Sequence, residues 1–307
     1  MSYLTNLTLR LTTGGVALPE ELRQRHVDYL TAAQSTAGGF AGRKGADDLY
    51  YTGFALRALV LLGSLDQRVA DSAAAFLQEH VDRPLSPIDF LSLVNSAVLL
   101  RMTSGQDVFA DRDLQRIVDN RLATLKRDDG GYAKSERSGQ GSTYHTFLAT
   151  LCKQMVGSPL EDPQSAIRLI RSRQRVDGGF VEIDAMRRSG TNPTAAAVGL
   201  LRALDALDEP TTQAAAEYLA GMQTAEGGFT ANTRIPAADL LSTFTGIVAL
   251  EDLGSLEKIH RAAALRFARS LEQPGGGFLA AMWDDTTDVE YTLYGLGILA
   301  LLTASED

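Results

Sequence analysis

The chain has 307 residues, 45% apolar and 22% charged, a composition that can bury a sizeable core and excludes a disordered chain. Its 38 acidic residues outnumber 29 basic ones for a formal charge of -9, which argues against a general nucleic-acid binder. The single cysteine, Cys152, excludes an intrachain disulfide and any zinc site built on paired cysteines, and fits a reducing, cytoplasmic setting.

In chain order, residues 1–20 read as an N-terminal extension, and Met1 to Gly15 lacks the apolar run of a secretory signal. From about residue 29 to the end a unit recurs, within one domain spanning 1–307. Its signature is glycine-glycine-aromatic, at Gly38-Gly39-Phe40, Gly130-Gly131-Tyr132, Gly178-Gly179-Phe180, Gly227-Gly228-Phe229 and Gly276-Gly277-Phe278. The intervals are 92, 48, 49 and 49 residues, so a degenerate unit is expected near Asp82 to Pro87. Gln34, Lys126, Gln174, Gln223 and Glu272 precede the glycines by four residues, and Tyr29, Arg121, Leu169, Tyr218 and Phe267 by nine. A threonine follows at Thr52, Thr146, Thr194, Thr243 and Thr292.

Each unit reads as helix, loop, helix. The glycines are expected to end the first helix in the left-handed conformation, and the aromatic to pack the loop down. Apolar second helices such as Thr52–Leu62, Ala195–Leu204 and Thr292–Leu302 belong inside, and mixed first helices such as Asp113–Arg127 outside. Asn192-Pro193 reads as a cap followed by a first-turn proline. About six hairpins predict an all-α fold, an α/α toroid, with an open solenoid as the alternative. The apolar tail Tyr291–Ala304 is 14 residues, too short for a membrane span, which leaves peripheral membrane contact open.

Glutamine, glycine-glycine-aromatic, a polar turn and an apolar helix resemble the repeat of protein prenyltransferase β subunits and terpene cyclases. The first unit, GGFAGRKGADDLYYTGFALRALVLLG, looks most like the type II geranylgeranyltransferase β subunit. The resemblance implies a barrel of inner helices around an apolar isoprenoid cavity. Tyr50, Tyr51, Phe54, Phe90, Tyr144, Phe147, Phe244, Trp283, Tyr291 and Tyr294 lie at or near the starts of the apolar helices. Their faces could hold a polyene and stabilise carbocations; core packing is the competing role.

The transferases implied by the resemblance hold zinc with an aspartate, a cysteine two residues later and a histidine in the next repeat. Here the matching positions are Asp239, Leu241 and Tyr291, so no metal site is expected. Zinc would need a site rebuilt from other residues, such as His145 at the histidine-like position of its own repeat. The cyclases carry Asp-x-Asp-Asp-Thr, against which Asp288-Val289-Glu290-Tyr291-Thr292 aligns with Glu290 as the proton donor. The neighbouring Asp284-Asp285-Thr286-Thr287 echoes this motif off register. Asp48, Asp89, Asp239 and Asp288 share one repeated position, where an aspartate caps a helix. Glu290 lies beyond the cap, so Glu290, Asp288, Asp89 and Asp239 are the candidate acids. Arg43, Lys44, Lys134, Arg137, Arg187, Arg188 and Arg234, between glycine pairs and apolar helices, could meet a diphosphate.

These features point to an isoprenoid-processing enzyme using metal-independent, proton-initiated cyclisation of a polyprenyl substrate. A protein prenyltransferase β-like enzyme with an altered zinc site and an α-subunit-like partner is one alternative. A non-catalytic isoprenoid-binding or interaction toroid is another. A carbohydrate-active toroid with paired carboxylates fits the aliphatic interior poorly.

Overall fold

The structure is a computed structural model that describes residues 2–110 and 112–303. It is all-α apart from two-residue strands. The chain divides into a mid-chain unit, Met1–Leu4 with Gln115–Phe267, and a terminal unit, Thr5–Leu114 with Ala268–Asp307.

After α1 (Tyr3–Val16), mixed and apolar helices alternate. The mixed set is α2 (Glu20–Ala32), α4 (Gln67–Gln78), α6 (Leu114–Ala123), α8 (Pro163–Ser172), α10 (Glu209–Ala220) and α12 (Arg261–Leu271). The apolar set is α3 (Leu49–Leu61), α5 (Pro87–Ser104), α7 (Thr143–Met155), α9 (Thr191–Ala203), α11 (Leu240–Asp252) and α13 (Val289–Thr303). In the terminal unit α3 packs between α5 and α13, so the last repeat lies beside the first. In the mid-chain unit α9 packs between α7 and α11. Among the described residues no helix is long and apolar enough to cross a membrane.

The glycines do not end the mixed helices. α2 stops at Ala32, and its C-cap Ala33 keeps right-handed backbone. The chain then makes a tight turn, in which Gly38 N–H donates to the Ser35 carbonyl and Ser35 N–H to that of Gly39. Gly38 has a φ of +92°, and a Cβ there would lie 2.2 Å from the Ser72 carbonyl oxygen of α4. Glycine therefore meets two demands at once, a left-handed turn and contact with the next mixed helix.

The residue nine positions before a glycine pair covers the second glycine of the preceding repeat in four of the five units. A Cβ at Gly131 would strike Leu169, at Gly179 Tyr218, at Gly228 Phe267 and at Gly277 Tyr29. A Cβ at Gly39 would strike Phe76, which identifies Phe76 as the covering residue of the hidden unit. That unit enters α5 behind Ser86, where the doubled interval places it.

The aromatic of each motif is buried, and its N–H donates to the threonine hydroxyl of the following helix. Phe40 pairs with Thr52, Tyr132 with Thr146, Phe180 with Thr194, Phe229 with Thr243 and Phe278 with Thr292. The same hydroxyl donates to the carbonyl of the residue preceding the helix, at 2.6 Å for Asp48, Asp239 and Asp288. The recurrent threonine thus satisfies a buried donor and pins the helix start. Strands β1 (Phe229–Thr230) and β2 (Ala238–Asp239) are the most regular form of this loop.

Residues 1–20 hold a helix that covers C-terminal ends of apolar helices. In the terminal unit, a Cβ at Gly14 or Gly15 would lie 2.2 Å from the carbonyl oxygen of Ala300 or Leu61 respectively. In the mid-chain unit, the Tyr3 hydroxyl donates to Asp252 at 2.5 Å, and the ring meets Phe147 edge-on at 5.7 Å.

Candidate active site at the start of α13

Five of the six apolar helices start behind a capping side chain. Asp48, Ser86, Ser142, Asp239 and Asp288 each accept the N–H three residues on, at Tyr51, Asp89, His145, Ser242 and Tyr291. Two expectations are corrected. Asp89 is not the cap of its helix: it stands three residues inside, where it accepts the Ser86 hydroxyl at 2.7 Å. Asn192 is not a cap either, because α9 starts behind Gly190 and Pro193 sits in its first turn, where no intrahelical N–H is needed.

Glu290 lies two residues beyond the α13 cap. Oε1 accepts the Tyr50 hydroxyl at 2.8 Å and the Tyr294 hydroxyl at 3.0 Å. Phe54 meets Tyr50 edge-on at 4.8 Å and Tyr294 at 5.5 Å, and Tyr291 meets Tyr294 at 5.9 Å. Tyr51 stands against Tyr50 at 5.3 Å. Burial pushes the Glu290 carboxyl above its ordinary range. The two tyrosine bonds and Arg57 oppose that rise, while the charge on Asp288 adds to it. The α3 and α13 candidates, Tyr50, Tyr51, Phe54, Glu290, Tyr291 and Tyr294, therefore form one cluster.

Asp288 is 5% exposed and does two structural jobs. Besides capping α13 it accepts Arg43 Nε at 2.8 Å. The same guanidinium gives Nη1 and Nη2 to Asp284 at 2.8 and 2.5 Å and lies 5.3 Å from the Tyr291 ring centroid. Burial works to raise Asp284, but the bonds from Arg43 and from Ala280 N–H hold it below the ordinary carboxylate range. Arg43 is thus committed to two carboxylates and is not the free diphosphate ligand that its position suggests. Its neighbour Lys44 is exposed.

Other expected site residues lie outside this cluster. Trp283 is 66% exposed, on the loop before α13 and not at a helix start. The loop turns there because Asp284 accepts the Ala280 N–H at 3.0 Å, which leaves Met282 and Trp283 outermost. In the mid-chain unit, Tyr144 is exposed and lies 5.5 Å from the His145 ring, whose Nδ1 is 2.8 Å from Ser142 Oγ. Burial lowers the His145 pKa, and Lys134 lowers it further. Phe147 packs on Tyr3 and against Gly199, Phe244 is buried in α11, and Arg187 and Arg234 are exposed. Cys152 is buried, its thiol pushed up to about 12 by desolvation and by Asp119.

Two participants have no repeat signature. Arg57, on α3, lies 4.4 Å from the Phe54 ring centroid and donates Nε to the Gly53 carbonyl. Arginine within an otherwise apolar helix is the signal that could have singled it out. Asp284 was visible in the off-register echo Asp284-Asp285-Thr286-Thr287, but its pairing with Arg43 was not.

The zinc positions do not fit a metal. Asp239 Oδ1 accepts the Ser242 N–H at 2.7 Å and Oδ2 the Ser242 hydroxyl at 2.8 Å. Leu241 offers no donor atom. Among the described residues no group of three His, Cys, Asp or Glu side chains is placed to hold a metal ion.

Comparison with solved structures finds the same fold in three kinds of enzyme. Protein geranylgeranyltransferase-I from Candida albicans, complexed with GGPP, superposes with a TM-score of 0.70 at 15% identity, over 93% of this chain and 92% of that one. The type II terpene cyclase MstE from Scytonema, as the R337A variant with geranylgeranyl dihydroxybenzoate, gives 0.63 at 14% identity over 98% and 99%. The GH76A alpha-1,6-mannanase from Salegentibacter sp. HEL1_6 gives 0.65 at 12% over 92% and 98%. Comparison with curated proteins gives no match. The sequence profile of the prenyltransferase alpha-alpha toroid domain matches residues 3–230 and 181–307; the chain belongs to that family, and its fold class is the all-α toroid.

Proposed function

We propose that the protein is an isoprenoid-processing enzyme that starts a cyclisation by protonating a carbon–carbon double bond, with Glu290 as the acid. The observation that carries this reading is Glu290 itself: half-buried, raised in pKa, and bonded to Tyr50 and Tyr294, which Phe54 packs against.

A proton donor must hold its proton until the moment of transfer, and burial shifts Glu290 in that direction. The two tyrosine hydroxyls occupy Oε1, which leaves Oε2 to carry the proton. As that proton moves to the alkene, its π pair forms the new C–H bond and the adjacent carbon becomes a cation. A second double bond attacks the cation to close a ring, and loss of a proton to a base ends the sequence. The tyrosine hydrogen bonds strengthen as Glu290 becomes a carboxylate, so they favour the transition state over the ground state. The faces of Phe54 and the tyrosines provide cation–π stabilisation.

The structurally similar enzymes bound to GGPP and to geranylgeranyl dihydroxybenzoate support a polyprenyl substrate class. Zinc-dependent transfer to a protein thiol has no comparable support, since Asp239 is satisfied by Ser242 and Leu241 cannot ligate. The test is incubation with polyprenyl substrates of several lengths and head groups, read by mass spectrometry. Cyclised product from the wild type, lost in Glu290→Gln, is the expected result. Full turnover by Glu290→Gln would remove Glu290 as the acid.

A further inference from the structure

In the mid-chain unit, the loops 133–142, 181–190 and 231–238 lead into α7, α9 and α11. They are bound side by side. Thr143 Oγ1 donates to the Val181 carbonyl at 2.7 Å, Thr191 Oγ1 to that of Thr230 at 2.6 Å, and Arg188 Nη1 to Thr233 Oγ1 at 2.9 Å.

This surface combines two features. Apolar side chains point outward: Met186 is 47% and Ile235 45% exposed, and Val176 on the adjoining turn is fully exposed. Arg175, next to Val176, donates to the Met186 carbonyl at 3.1 Å, which joins that turn to the middle loop. With Tyr144, these are all the large exposed hydrophobic residues of the mid-chain unit among those described. The second feature is positive charge. Lys134, Arg137, Arg187, Arg188 and Arg234 are exposed, and none makes an ion pair among the described residues. Two acids of the same loops are ion-paired, Glu136 with Arg121 and Asp184 with Arg173 and Arg175, while Glu182 accepts the Tyr144 N–H.

We propose that these three loops form a docking surface for an anionic lipid bilayer. In a chain of net charge -9, an anionic membrane repels most of the surface, so approach is directed to a face whose charges outside ion pairs are mainly cationic. Met186, Ile235 and Val176 stand beside those cations, where short apolar side chains can enter the headgroup region while arginines bind phosphate. A partner protein is the competing occupant. The bilayer is favoured because five of the six loop charges outside ion pairs are cationic, Glu182 being the exception, and the apolar residues are scattered among them, without a continuous apolar face.

The test is cosedimentation of the full chain with phosphatidylcholine vesicles and with vesicles containing about a third phosphatidylglycerol. Retention on the anionic vesicles that weakens in high salt is expected. The triple variant Arg187→Glu, Arg188→Glu, Arg234→Glu should weaken it on the order of 100-fold. The pair Met186→Ser and Ile235→Ser should weaken it about tenfold. Circular dichroism confirms that these surface variants are folded. No retention on anionic vesicles, equal retention on both vesicle types, or wild-type retention by the triple variant would each overturn the proposal. The readout is independent of turnover, so it stands or falls apart from the assignment of Glu290.

Discussion

The starts of α11 and α13 are two copies of one design with different contents. In both, an aspartate caps the helix through the N–H three residues on, and a threonine four residues on takes the N–H of a buried phenylalanine. They differ at the second helical residue, which is Leu241 in α11 and Glu290 in α13. They also differ in how the aspartate is satisfied, by the adjacent Ser242 in α11 and by Arg43, from a distant repeat, in α13. At these two starts the repeat fixes the backbone and leaves the second helical position free for chemistry.

The largest expected effect separates the two starts. Glu290→Gln keeps the shape and removes the acid, and turnover should fall about 100- to 10,000-fold. Leu241→Met should leave turnover unchanged. Product analysis on both variants checks this, and a comparable loss in Leu241→Met would place chemistry at α11 as well.

The second effect should be equal at the two starts. Thr292→Val and Thr243→Val each strand a buried N–H, of Phe278 and Phe229 respectively, and each should cost about 1–3 kcal/mol. Urea denaturation measures both. A negligible cost at either would show that its aromatic N–H finds another acceptor and that the starts are not equivalent.

How much of this was legible in the sequence follows from range. The hairpins, the buried aromatics and the helix starts were legible because they are local and recur at fixed offsets. The Gly38 turn was misplaced because glycine serves both a helix end and a tight turn, and spacing does not separate the two. Asp89 was put at a cap position because the hidden unit lacks the glycines that set the register. Glu290 stood out because it departs from the repeat. Its setting did not: Tyr50 is 240 residues away, and Arg43 reaches Asp288 across 245. Only the fold brings these together.

The next effect is a pair of opposite shifts. Turnover requires protonated Glu290 and should fall as pH rises through its pKa. Tyr50→Phe removes a bond that favours the carboxylate, so the falling limb should move to higher pH. Asp288→Ala removes a nearby negative charge and leaves Arg43 with Asp284 alone, so the limb should move to lower pH. Asp288→Ala should also cost about 0.5–2 kcal/mol through loss of the cap, as should Asp239→Ala. Asp239→Ala should leave the pH limb in place, and a shift in that variant would break the division of labour between the two starts.

The smallest effect is in stability. Below the ordinary glutamate pKa of 4.5, Glu290 is protonated whether the chain is folded or not, and contributes no pH dependence. Above it the unfolded chain ionises while the folded chain, with its raised pKa, holds the proton. The folded state then binds more protons, and stability falls as pH rises until the folded group also ionises. Glu290→Gln abolishes this term, so its stability relative to wild type should increase with pH from about pH 4.5 upward. Denaturant midpoints for both proteins between pH 4 and 8 read this difference directly, and Leu241→Met should show none. A difference of the opposite sign would mean that the tyrosine hydrogen bonds outweigh burial, in which case Glu290 is held as a carboxylate and cannot be the proton donor.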